Sequence, residues 1–144
     1  MGYDFTLYEI TNHQEEDTKE YKVKEVLYLS NSMAMLVATW LDRNNVREDP
    51  NNFNKVYHYV EVDGGMLEDL TENLETVLNE KDKHKRDTLA LFYFPCRFTI
   101  PTWISSTEMF SESYYADLEY ILESVKKVLN DDPDRQLFVY NFAV

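Results

Sequence analysis

Cysteine, glycine, proline and positive charge are all scarce in this chain of 144 residues, and each scarcity excludes something. The one cysteine, Cys96, has no partner for an intramolecular disulfide, so a reducing, cytoplasmic setting is expected. Three glycines and four prolines, with no low-complexity run, leave little material for linkers or a disordered tail. Gly64 and Gly65 form the only glycine pair, so neither a P-loop nor a dinucleotide-binding fingerprint is present, and a Walker-type lysine is missing as well. The apolar runs fall well short of the ~20 residues of a membrane-spanning helix, and no charged segment followed by a small-residue cleavage site opens the chain. Met1-Gly2 with Thr6 matches a myristoylation pattern in form only, because residues 3 and 4 follow strand alternation and no polybasic patch accompanies them.

Against 27 acidic residues stand 14 lysines and arginines, a net charge of -13. Such a chain repels duplex DNA and anionic lipid heads. Neither direct nucleic-acid binding nor a membrane is therefore expected, and a partner with a basic surface or groove is. What is abundant is apolar and aromatic material, 44% and 15% of the residues, enough for one compact domain with its own core across residues 1–144.

Residues 3–10 alternate, with Tyr3, Phe5 and Leu7 on one face, the period of a half-buried strand. A loop is expected over 11–20. A second short strand is expected over 23–29, although Lys24 and Glu25 leave a helical reading open. Ser30 or Ser32 can cap a helix in which Met33, Leu36, Val37, Trp40 and Leu41 recur at helical spacing until Asn44-Asn45. After an Asn-rich loop with Pro50, residues 55–62 alternate as a strand, with Val56, His58, Val60 and Val62 on one face. Asp63-Gly64-Gly65 then turns into a helix carrying the stripe Leu67, Leu70, Leu74, Val77 and Leu78. The basic run 81–86 reads as the end of that helix, where cations complement the dipole. Residues 89–94 read as an apolar strand, and 98–104, interrupted by Pro101, as an edge segment. Hydroxyl caps in 107–113 precede a third helix with the stripe Tyr115, Leu118, Leu122, Val125 and Leu129, which stops by Asp131-Asp132-Pro133. A closing strand is expected in 136–144. About three helices among four to six strands predict an α+β domain, its sheet mixed or largely antiparallel with the helices packed on it.

Two stretches carry a resemblance. Met1-Gly2-Tyr3-Asp4-Phe5-Thr6-Leu7 resembles a Met-Gly-Leu-Asp-Met-Tyr-Leu opening. Ser106-Thr107-Glu108 followed by Tyr114-Tyr115-Ala116-Asp117-Leu118 resembles a Ser-Thr-acid lead into a Tyr-Tyr-x-Asp-Leu helix. Both belong to a family of short tailed-phage and prophage proteins of no established function, and the aromatic segment 138–142 resembles its closing strand. Where that family carries a Tyr-Trp-Arg-Lys-Ala-Asn-Ala-Ile-His-Lys-Trp type of helix, this chain has Met33-Ala34-Met35-Leu36-Val37-Ala38-Thr39-Trp40. The Arg, Lys and His are missing, so an activity resting on them does not carry over. The resemblance implies a phage or prophage gene, with host takeover or counter-defence as the class of role, and names no reaction.

Catalytic and cofactor chemistry finds little to stand on, and no cofactor is expected. His13, His58 and His84 are scattered and fit no zinc spacing. An oxygen-ligand site from Asp63, Glu68 and Asp69 competes with the ordinary preference for acids at a helix N-terminus. One enzyme reading remains, in which Arg97 lowers the pKa of Cys96 and His58 serves as its base; the competing reading makes Cys96 a small core residue.

Acidic surface is the remaining constellation. Between Lys55 and Lys81 there are seven acids and no lysine or arginine, and between Arg97 and Lys126 five acids and none. Glu68, Glu72 and Glu75 share one face of the second helix; Glu112, Glu119 and Glu123 share one face of the third. Helical neighbours at this spacing lie ~5 to 6 Å apart, close to the spacing of phosphates along a strand, so mimicry of nucleic acid competes with a merely solvated face. Tyr57, Tyr59, Tyr114 and Tyr120 would be the aromatic anchors of an interface if exposed. The function expected is a non-catalytic phage protein that binds a host protein in the host cytoplasm, with a homodimer left open. The alternatives are the Cys96/His58/Arg97 enzyme and an oligomeric structural or virion component.

Overall fold

Alternating residues near the two ends of the chain build the middle of the sheet. In the computed structural model, which describes residues 4–10, 23–41, 53–54, 59–95, 111–131 and 137–140, β1 (Asp4–Ile10) pairs with β2 (Val23–Ser30) on one side and β5 (Leu137–Tyr140) on the other. β5 also pairs with β4 (Tyr59–Val62), and β4 with the short β3 (Phe53–Asn54), giving the order β2-β1-β5-β4-β3. Every described pairing is antiparallel, as the alternating patterns anticipated.

Phe5, Leu7, Leu27, Leu29, Val62, Leu137 and Val139 are buried on the face that meets the helices, while Asp4, Glu25 and Tyr28 are exposed. The ladder slips once: Leu7 faces Leu27 but Tyr8 faces Glu25, so Val26 bulges from β2 and the in-and-out alternation of β2 changes phase there, leaving Glu25 exposed.

β2 passes directly into α1 (Asn31–Leu41) through Asn31, whose φ of 53° is a left-handed conformation that asparagine tolerates better than most side chains. Ala34, Leu36, Val37, Ala38, Trp40 and Leu41 are all buried, because α1 lies on β1 and β2 and also meets the last helix. The Ser32 hydroxyl, a candidate cap, instead donates to Asp117 Oδ2 of that helix at 3.0 Å. Trp40 Nε1 donates to Asn73 Oδ1 at 3.2 Å, fastening α1 to α2 (Gly64–Leu78). Asp63 caps α2, accepting from the Met66 amide at 2.9 Å; Gly65 leaves room for that carboxylate, since a Cβ there would stand 3.3 Å from Asp63 Oδ1.

α2 ends at Leu78, and the basic run does not continue it. Asp82 caps a separate helix, α3 (Lys83–Tyr93), so the expected strand over 89–94 is helical instead. A six-residue apolar run has no period of its own. Here burial of Ala90 and Phe94, four positions apart, against the rest of the core selects the helix and leaves Leu91 and Phe92 exposed. Lys83, His84, Lys85 and Arg86 consequently stand at the N-terminal turn of α3, the wrong end of its dipole for cations.

α4 (Glu112–Asp131) is the last of the described helices. Its buried residues are Tyr114, Tyr115, Leu118, Ile121, Val125 and Val128, with Leu122 and Leu129 half-buried. The expected stripe is thus rotated toward Ile121 and Val128, because the helix packs against α2 on one flank and β2 on the other. The expectations for 11–20, 55–58 and 98–104 lie outside the described residues.

Candidate functional site

Two helices set the site. α2 and α4 are packed together by Leu67, Leu70, Leu74 and Val77 from one and Leu118, Ile121 and Val125 from the other, so their outer faces have fixed positions. On α2, Glu68 and Glu72 are exposed and Glu75 is half-buried. These three line a shallow open groove of about 450 Å³ together with Thr71, Thr76 and Leu129. On α4, Glu112, Glu119 and Glu123 are exposed along the outermost face.

Glu75 differs from its neighbours. Its Oε1 lies 3.3 Å from Lys126 Nζ, a bridge between the two helices with both side chains nearly half exposed. Coulomb attraction there is weak, but it neutralises one of the three carboxylates and places a cation at the rim of the groove. Fully anionic presentation on α2 therefore rests on Glu68 and Glu72.

Tyr114 is not an interface anchor. It is 7% exposed, and its hydroxyl donates to the Phe94 carbonyl at 2.7 Å, satisfying an acceptor left open where α3 ends. Its ring meets Tyr115 edge to face at 5.1 Å. The Tyr115 hydroxyl donates to Asp87 Oδ1, and the Arg86 guanidinium lies over the Tyr115 ring, 4.0 Å from its centroid. Burial first, and the Asp87 hydrogen bond second, push the Tyr115 phenol up to about 12. The double tyrosine is thus the clasp between α3 and α4, drawn inward because α3 brings both an open carbonyl and a carboxylate to that end of α4.

Tyr120 is 53% exposed, as an anchor should be, but it faces a second groove between α4 and β2, away from the α2 acids. Tyr57, Cys96, His58, Arg97 and His13 lie outside the described residues; Tyr59 begins β4. His84 is exposed in the first turn of α3. Asp63 is engaged as a cap, and among the described residues no three histidine, cysteine or carboxylate side chains gather in a metal-binding arrangement. The same residues bury no charged side chain. None of their helices is long and apolar enough to cross a membrane. No family model, curated protein or solved structure matches the chain.

Sequence reasoning missed the exposed pair Leu91 and Phe92, and the cations at the start of α3. The one signal for both was Asp82, a capping residue placed just ahead of the basic run.

Proposed function

We propose that this chain is an acidic phage-encoded protein that binds a host protein in the host cytoplasm without catalysing a reaction, inhibiting or redirecting it as a counter-defence or takeover factor. The partner presents a basic surface, such as a groove that handles nucleic acid, and the carboxylates of α2 and α4 stand in for phosphates. One observation carries this reading: Glu68, Glu72, Glu112, Glu119 and Glu123 are all solvent-exposed on two helices held rigidly by a shared core. Rigidity matters because ordered charges engage a partner without losing conformational freedom. The net charge of -13 adds long-range steering toward a basic partner. Resemblance of the opening seven residues and of the Tyr-Tyr-x-Asp-Leu helix to phage proteins supports the setting.

Affinity capture from host lysate at low salt tests the proposal. A retained protein that elutes as salt rises, and that the E68Q/E72Q/E75Q variant fails to retain, is the expected result. Absence of any retained protein, or equal retention by the variant, overturns it.

A further inference from the structure

β2 is an edge of the described sheet, paired only with β1, and an open groove of about 490 Å³ runs between it and α4. An edge strand presents unpaired backbone donors and acceptors that can extend the sheet into another chain. Strand residues 24–28 form one wall, about 13 Å long, and helix residues 120–131 the other, about 16 Å long. The two walls run in opposite directions: Ser32, two residues past β2, bonds Asp117 near the start of α4. Tyr28 and Tyr120, 48% and 53% exposed, therefore sit at one end of the groove, and Lys24, Glu25, Lys127 and Asp131 at the other.

This distribution is self-complementary under reversal. On a surface dominated by acid, the charged end of the groove has two cations and two anions, so the tyrosine end of a second copy can approach it without facing an excess of carboxylates. We propose that two copies of this chain form a dimer about a two-fold axis through this groove, β2 against β2 antiparallel. The lysine end of each copy then covers the tyrosine end of the other. An isologous interface requires a patch that complements itself, and lysines over tyrosine faces supply the attraction. That register sets the axis beside Val26, midway between Lys24 and Tyr28, so the bulge breaks the ladder on the axis and side chains carry most of the interface. The α2 acids take no part in the dimer, whereas Glu119 and Glu123 adjoin its α4 wall, so sedimentation of the chain alone tests the dimer apart from host binding.

Sedimentation analysis of the full chain across a wide concentration range tests this. The expected result is a reversible shift from 17.2 kDa to twice that mass. K24E/K127E and, separately, Y28A/Y120A should each weaken dimerisation by about tenfold while circular dichroism stays unchanged. Mixing the two variants should restore part of the association, because one lysine end and one tyrosine end remain intact. A single 17.2-kDa species at the highest soluble concentration overturns the proposal. So does wild-type-like dimerisation by both variants, or a mixture no better than either alone.

Discussion

Lys126 Nζ of α4 lies 3.3 Å from Glu75 Oε1 of α2, and this contact divides the acidic groove into a neutralised part and a free part. With both partners nearly half exposed, the bridge should contribute at most about 1 kcal/mol to stability. Lys126→Ala is therefore expected to change the unfolding midpoint little while strengthening partner binding, because it frees a carboxylate. Denaturant melts beside binding isotherms check both halves.

The Asp63 carboxylate accepts from the Met66 amide at the start of α2. Asp63→Ala should destabilise the fold by about 0.5 to 2 kcal/mol, and Asp63→Ser or Asp63→Asn should recover most of it, since any good capping oxygen serves. Urea unfolding of the three variants would show this ordering.

At the start of α3 the expected sign is opposite. Lys83 and Lys85 are exposed cations beside the positive end of a helix dipole. Lys83→Glu or Lys85→Glu should stabilise the protein by about 0.3 to 1 kcal/mol at low ionic strength, a gain that shrinks as salt is added. Thermal melts at two salt concentrations would separate this from a general charge effect.

Tyr115 supplies a pH dependence. Its phenol rises from the ordinary 10.0 to about 12 in the fold. Its contribution is accordingly complete below pH 10 and is lost as pH climbs through about 12, because the folded state resists ionisation more than the unfolded chain does. Tyr115→Phe should cost about 1 to 3 kcal/mol at neutral pH through the abandoned Asp87 carboxylate. It should also lessen the fall in stability across that alkaline window.

Local pattern made much of this fold readable. Phe5 and Leu7 on one face of β1, the stripe Leu67, Leu70, Leu74 and Val77, and the helical spacing of Leu118 and Val125 all bury as their periods require. α3 was not readable, because residues 89–94 are apolar at every position, yet only Ala90 and Phe94 are fully buried, with Leu89 and Tyr93 packed half-buried against the core. The basic residues ahead of that run reinforced the error, since cations are expected at the end of a helix and here begin one. Strand order was equally hidden: that β5 sits between β1 and β4 depends on pairing far apart in the chain. Of the candidate interface, the glutamates lie outward as their spacing implied. Tyr114 turns inward because Phe94 offers a carbonyl within 2.7 Å, a tertiary circumstance that no window around Tyr114 contains.

The central claim, that the carboxylates of α2 and not net charge alone engage the partner, is tested most directly by a charge-matched comparison. Affinity for the captured host protein would be measured by calorimetry for wild type, for E68Q/E72Q/E75Q, and for E9Q/E61Q/E80Q, which removes equal charge from outside α2 and α4, with circular dichroism checking that loss of the Glu80 contact to the Asp82 amide leaves the fold intact. The α2 triple should weaken binding by about tenfold or more and lower its salt dependence, while the control triple changes it by about twofold or less. Equal losses in the two triples, or no loss in either, would contradict the account.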